Sequence, residues 1–136
     1  MILADTSGVV AAIVPQDLYH DAVRRWLREN TAEVALPTPC LGEIGYFAGR
    51  LLPPSSESAF VRRLVRGPFA PIEPHDIDYL RAAELVERYA DFPIGIVDAL
   101  IVAMAERLQV TTILTLDRRH FGAIKPLHCE SFSLVP

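Results

Sequence analysis

Lysine is almost absent from this chain, because Lys125 is the single lysine and every other basic residue except histidine is arginine. Cysteine is scarce as well: Cys40 and Cys129 are far apart and form no C-x-x-C pair. The sequence therefore supports neither a zinc site nor a disulfide. No apolar stretch is long enough and free enough of charge to span a bilayer. The N-terminus also lacks the basic start and cleavage site of a signal peptide, so we expect a cytoplasmic protein with no membrane association.

What the chain does contain is enough apolar material for a core. Hydrophobic residues make up 51% of its 136 residues and charged residues 22%, a composition that excludes intrinsic disorder. We find no internal repeat, low-complexity tract or linker. The sequence predicts a single domain over residues 1–136.

Charge is distributed unevenly. The formal net charge of −4 is not that of a general nucleic-acid binder, yet arginines occur in clusters. Arginine suits phosphate because of its forked donors, although a solvated helix face is the favoured reading of each cluster alone. The clusters are Arg24, Arg25 and Arg28; Arg62, Arg63 and Arg66; and Arg118 and Arg119.

Hydrophobic periodicity and turn residues predict alternating strands and helices. Strands are predicted over residues 1–5, 33–36, 69–72, 111–116 and 128–134. Helices are predicted over residues 6–14, 16–29, 38–52, 55–66, 75–89 and 95–108. This alternation predicts an α/β fold, a three-layer α/β/α sandwich with a mainly parallel sheet of four to five strands.

Four acids lie in apolar surroundings. Asp5 ends the first predicted strand and Asp117 follows the strand at 111–116, so both should lie at the same sheet edge. Asp98 lies in the first turn of an apolar helix, and Glu43 is early in another. By contrast Asp17, Asp21, Asp76, Asp78, Glu84 and Glu87 lie in polar or amphipathic surroundings and are expected to be solvated.

Such acids would repel one another if they converged, and a hard cation would relieve the repulsion. Oxygen ligands favour Mg²⁺, with Mn²⁺ as the alternative. Each acid also has a simpler explanation. Asp5 could only cap a helix, Asp117 could only form a turn, and Glu43 could pair with Arg50. The histidines (His20, His75, His120, His128) show no ligand spacing and are expected to be structural, although His120 lies close to Asp117.

The order Asp5, Glu43, Asp98, Asp117 resembles the PIN domain, and more narrowly the VapC-type toxins of bacterial toxin–antitoxin pairs. The segments 97–108 and 115–121 carry most of the resemblance, and Asp5-Thr6-Ser7 agrees with it. It implies a Mg²⁺- or Mn²⁺-dependent endoribonuclease that cleaves transfer or ribosomal RNA, forms a homodimer and is silenced by a VapB-type antitoxin. Asp5 and Asp98 would be the first metal ligands, with Glu43 and Asp117 completing the cluster.

In the expected mechanism, the ion binds a phosphate oxygen and lowers the pKa of a bound water. Thr6, Ser7 and Thr115 would contact the scissile phosphate, and Arg118 and Arg119 would hold flanking phosphates. Two alternatives remain: a receiver-like signalling domain, and a non-catalytic PIN-like module that binds RNA or protein. A receiver would require an acid pair after the first strand and a phosphoacceptor after the third.

Overall fold

The computed structural model describes residues 1–136, which form five strands and seven helices. The strands are β1 (Ile2–Ala4), β2 (Val34–Pro37), β3 (Phe69–Ile72), β4 (Thr112–Leu114) and β5 (Ser133–Val135). The helices are α1 (Thr6–Ile13), α2 (His20–Glu29), α3 (Cys40–Leu51), α4 (Pro54–Arg66), α5 (Asp76–Arg88), α6 (Ile96–Leu108) and α7 (Arg118–Ala123). None of these helices combines the length and apolarity that a membrane span requires.

The five strands form one sheet in the order β3-β2-β1-β4-β5, and every neighbouring pair is parallel. Leu3 of β1 lies opposite Ala35 of β2 on one side and Ile113 of β4 on the other. The predicted α/β/α sandwich with a parallel sheet is thus confirmed. Because all strands run the same way, their carboxyl ends lie at one edge.

The core lies between the sheet and the helices. Thirty-four buried apolar residues form one contiguous cluster, which includes all of β1 and most of α6. Helix α1 contacts α2 and α3, whereas α5 packs on α6. Burial continues without interruption from Ala99 to Glu106, as the apolar sequence of this helix predicts.

Several elements differ from the sequence prediction. Helix α2 begins at His20 rather than near residue 16, because the carboxylate of Asp17 accepts a hydrogen bond from the Tyr19 amide and forms a local turn. Strand β4 ends at Leu114, and the short helix α7, which was not predicted, follows Asp117. The last strand starts at Ser133 instead of residue 128.

Asp78 does not lie in solvent, and the expectation that it is solvated was wrong. Its side chain is 1% exposed and lies 2.8 Å from the guanidinium of Arg107 on α6. It also accepts a hydrogen bond from the His75 amide at the start of α5. Beside this pair, Arg81 holds Glu106 at 2.7 Å, so two ion pairs join α5 to α6.

Candidate active site

Acidic side chains from four separate elements line one open pocket beyond the carboxyl ends of β1 and β4. The pocket has a volume of about 390 Å³. Its lining residues are Asp5, Thr6, Ser7, Val10, Asp17, Glu43, Phe47, Asp98, Leu116 and Asp117. The four predicted acids therefore share a single site. Asp17, which was expected to be solvated, is half-buried at its margin.

Two hydroxyl groups fix the carboxylate of Asp5. Its carboxylate caps α1 by accepting from the Ser7 amide, so the helix-capping explanation holds alongside a place in the pocket. The same oxygen, Oδ2, accepts from Ser7 Oγ at 2.6 Å and from Thr115 Oγ1 at 2.8 Å. Each hydroxyl has one hydrogen, and both are directed at Asp5. The other carboxylate oxygen, Oδ1, has no hydrogen-bond partner in the protein.

The hydroxyl oxygens are held in turn by the backbone after β4. Ser7 Oγ accepts from the Leu116 amide, and Thr115 Oγ1 accepts from the Asp117 amide, each at 2.9 Å. This arrangement ties Asp5 to the segment that carries Asp117. In this structure Ser7 and Thr115 orient Asp5, and their contact with a substrate phosphate stays a prediction.

Glu43 is oriented by Thr6, whose hydroxyl donates to Glu43 Oε2 at 2.6 Å. The alternative pairing of Glu43 with Arg50 does not occur, because the guanidinium of Arg50 lies over the Tyr46 ring instead. Thr6 begins α1 and Glu43 lies in the first turn of α3, so this bond joins two helix N-termini. The positive ends of both helix dipoles favour the carboxylate there.

Asp98 is the acid whose ionisation the pocket opposes most. Burial, which is the largest cause, and the negative charges of Asp5 and Asp117 together raise its pKa from 3.8 to about 6. Its place in the first turn of α6 does not offset these effects. Among the surrounding side chains only His120 favours an ionised Asp98, and its effect is outweighed, so the ionised form requires further positive charge.

Asp117 has a partner that sequence reasoning did not assign. It caps α7: its Oδ1 accepts from the His120 amide at 2.9 Å, and its Oδ2 lies 2.7 Å from His120 Nδ1. Burial opposes ionisation of Asp117, but these His120 hydrogen bonds outweigh it and leave the pKa below its usual value. In the sequence, Asp117 and His120 have the i, i+3 spacing of a helix-capping residue and its N3 position. This spacing was the signal that could have indicated their contact.

His120 completes a group of three side chains that could hold a metal ion. One of its ring nitrogens and one oxygen each from Asp98 and Asp117 all lie within 4.8 Å of one another. The ring of Phe92 lies 5.3 Å from the imidazole, centroid to centroid. The default expectation that His120 is only structural or surface-exposed is therefore not supported by its position.

The two arginines after Asp117 have different surroundings. Arg118 donates to the backbone oxygens of Leu134 and Pro136, so it fastens α7 to the β5 segment. Arg119 is exposed, and its guanidinium lies 5.2 Å from the centroid of the Phe92 ring. Neither lines the pocket, and of the two guanidinium groups only that of Arg119 makes no hydrogen bond within the protein.

The donor set fits a divalent cation. The pocket gathers carboxylate oxygens, the His120 imidazole lies beside two of them, and none of the four central acids pairs with a lysine or an arginine. The raised pKa of Asp98 reflects the same excess of negative charge. Asp5, Glu43, Asp98, Asp117 and His120 could hold such an ion.

Comparison with known proteins agrees with this geometry. The model of the PIN domain family matches residues 2–125. The chain is 30% identical over 135 residues to Ribonuclease VapC26 of Mycobacterium tuberculosis, covering 99% of this chain and all of that protein.

Solved structures share the fold at lower identity. VapC20 of Mycobacterium tuberculosis, described as a Sarcin-Ricin loop cleaving toxin, superposes with a TM-score of 0.82 at 18% identity, covering 96% of this chain and 99% of that one. DNA-bound VapBC from Salmonella typhimurium gives a TM-score of 0.72 at 18% identity, with coverage of 98% and 97%. With the family match, the relative and the acidic pocket in agreement, the chain belongs to the PIN domain family and, within it, to the VapC-type ribonucleases.

Proposed function

We propose that this protein is a divalent-metal-dependent endoribonuclease that acts as the toxin of a type II toxin–antitoxin pair. The observation that carries the proposal is the convergence of Asp5, Glu43, Asp98 and Asp117 in one pocket with the pKa of Asp98 raised to about 6. Mg²⁺ or Mn²⁺ is the cofactor that this donor set favours. When bound, such an ion supplies positive charge beside the phosphate and lowers the pKa of a coordinated water.

The protein's own residues prepare the site for phosphodiester hydrolysis. Ser7 and Thr115 both donate hydrogen bonds to Oδ2 of Asp5, so Oδ1 remains available to another partner. Thr6 likewise fixes one oxygen of Glu43. These bonds hold the carboxylates in place before RNA arrives, which reduces the reorganisation needed in the transition state. Glu43 and Asp117 then remain to orient the attacking water or to hold the ion.

The substrate and partners follow from the family. VapC20 is described as a Sarcin-Ricin loop cleaving toxin, and we propose ribosomal or transfer RNA as the target here. One solved structure with this fold is described as a toxin–antitoxin complex from Klebsiella pneumoniae, and we propose a VapB-type antitoxin and a homodimer for this chain. Exposed Arg119, 5.2 Å above the ring of Phe92, is the arginine best placed to hold a flanking phosphate.

The test is cleavage of total RNA by the purified protein with Mg²⁺, with EDTA as the control. Asp98→Asn should abolish cleavage and keep the far-UV circular dichroism of the parent, because it removes charge and little volume. Asp91→Asn, an exposed acid outside the pocket, should cleave as the parent does. Cleavage by Asp98→Asn at the parental rate would refute the proposal. RNA binding without cleavage by the parent would favour the non-catalytic module.

A further inference from the structure

Two exposed aromatic side chains lie side by side on α3, next to the acidic pocket. Tyr46 is 60% exposed and Phe47 is 41% exposed, and their ring centroids lie 5.5 Å apart. The ring planes meet at 77°, so the rings are not stacked on each other and the pair leaves aromatic faces uncovered. Single exposed apolar residues are common on proteins, but an exposed pair beside a functional pocket indicates contact with a ligand or a partner.

Phe47 belongs to the pocket itself. It is the only aromatic residue among those that line the pocket, and the other apolar lining residues are Val10 and Leu116. Phe47 follows Glu43 by four positions in α3, so the two side chains lie on one helix face with their Cβ atoms about 5–6 Å apart. A substrate held at the acids is therefore within reach of the Phe47 ring.

Positive charge continues along the same face of α3. Arg50 follows Glu43 by seven positions, and its guanidinium lies 5.4 Å from the centroid of the Tyr46 ring. None of the ion pairs in the protein involves Arg50, so no acid of this chain neutralises its charge. Outward from the pocket, α3 thus presents an acid, an aromatic pair and an unpaired arginine. Aromatic rings beside positive charge are the surface on which single-stranded nucleic acids stack their bases and hold their phosphates.

We propose that Phe47 stacks on an unpaired nucleobase next to the scissile phosphate, so that the pocket selects single-stranded RNA. Every base has an aromatic face, so stacking tolerates different sequences, whereas a base that is paired within a duplex is not available to the ring. Phe47 lines the same pocket as the acids, and this continuity favours RNA over a second protein chain as the occupant. The inference rests on the proposed function, because it describes how that site holds its substrate.

The first experiment compares substitutions of Phe47 in RNA cleavage with Mg²⁺. The substrate is an oligoribonucleotide copied from a site at which the parent cuts total RNA. Phe47→Leu keeps an apolar side chain but removes the ring, so it should raise KM with little change in kcat and lower kcat/KM about tenfold. Phe47→Trp keeps an aromatic face and should stay within about threefold of the parent. Tyr79→Leu makes the same change at an exposed aromatic residue of α5 outside the pocket, and it should cleave as the parent does.

The second experiment changes the RNA and therefore needs no variant to detect the contact. An abasic ribonucleotide replaces, in turn, the nucleotide on each side of the scissile bond. One of these replacements should lower the parental kcat/KM as much as Phe47→Leu does. Combined with Phe47→Leu it should cause no further loss, because both changes remove the same contact. The intact RNA annealed to its complement should be cut more slowly than the single strand, and Phe47→Leu should reduce this preference.

Three results would overturn the inference and leave the metal-dependent nuclease standing. One is a parental kcat/KM in Phe47→Leu, and another is a full second loss when Phe47→Leu acts on either abasic RNA. The third is dissociation of an oligomer in Phe47→Leu, followed by sedimentation velocity, because a second copy of the chain would then cover this face of α3. If the parent cuts no RNA in Mg²⁺, the inference and the proposed function are refuted together.

Discussion

Thr115 donates its hydroxyl hydrogen to Asp5 across 110 positions of sequence, at 2.8 Å. The two residues follow β4 and β1, which are neighbours in the sheet, and the Asp5 amide also donates to the Leu114 carbonyl. Thr115 itself is fully buried. The bond therefore fixes the orientation of an active-site carboxylate from behind, out of reach of solvent.

Thr115→Val removes this hydrogen bond while keeping the shape of the side chain. We expect RNA cleavage to fall about 10- to 100-fold, because a mispositioned Asp5 holds the cation less well. Steady-state cleavage rates over a range of Mg²⁺ concentrations are the measurement. Thr115→Ser keeps the hydroxyl and should retain most of the activity. Parental rates in Thr115→Val would show that Ser7 alone is sufficient to orient Asp5.

The raised pKa of Asp98 predicts that the metal-free protein loses stability as the pH rises. Between about pH 4 and 6 the unfolded chain loses this proton while the folded chain keeps it, so stability falls as pH rises and then levels off. In EDTA, Asp98→Asn should match the parent near pH 4 and exceed it by about 1–2 kcal/mol at pH 7.5, once solvent screening is allowed for. Urea unfolding across this range measures the difference, and parallel curves would contradict the burial of the charge.

The Asp78–Arg107 ion pair predicts a large loss of stability with no loss of metal binding. Asp78→Ala leaves the partly buried Arg107 guanidinium without its counter-ion and the His75 amide without its acceptor. We expect the free energy of unfolding to fall by about 3 kcal/mol. Urea denaturation checks this, with the exposed neighbour Asp76→Ala as the control.

The Asp78–Arg107 ion pair also predicts how the stability of the protein falls at low pH. Burial opposes ionisation of Asp78, but the Arg107 hydrogen bonds outweigh it and lower the pKa below 3.8. Its contribution is therefore present above about pH 4 and is lost as pH falls below that value. Asp78→Ala should accordingly flatten the parental loss of stability in acid.

Gly8 lies where α1 meets β4, and the contact leaves no room for a side chain. A Cβ at this position would lie 2.6 Å from the Leu114 carbonyl oxygen and 2.9 Å from Leu114 Cγ. Gly8→Ala should destabilise the protein by about 1–3 kcal/mol through overpacking. Gly45→Ala in α3 meets nothing within 4 Å and should stabilise it by about 0.5–1 kcal/mol. Thermal unfolding of both variants is the comparison, and equal effects would exclude the steric explanation.

Local pattern predicted the alternating elements and the four acids, because an acid in an apolar segment requires a partner wherever it folds. Asp98 stands out in this way without any knowledge of its neighbours. His120 did not, because the short helix α7 was not predicted and its partner Asp117 was interpreted only as a ligand or turn residue.

The burial of Asp78 could not be read from the sequence either. Its surroundings on α5 are polar, and burial comes from Arg107, which lies 29 positions away on α6. Long-range pairing of this kind leaves no local signature. The late start of α2 has a more local cause, since the Asp17 turn competes with a helix through a single side-chain hydrogen bond.

The sheet order divides the molecule at the link between β3 and α5. Strands β1, β2 and β3 precede residues 73–75 and form one side of the sheet, whereas β4 and β5 follow and form the other. Asp5 and Glu43 belong to the first portion, Asp98 and Asp117 to the second. A polypeptide divided at this link would yield two fragments that each carry two of the four pocket acids. The proposed RNA cleavage would then depend on reassembly of the two fragments. The protein could thus be divided into two components that are active only when both are present.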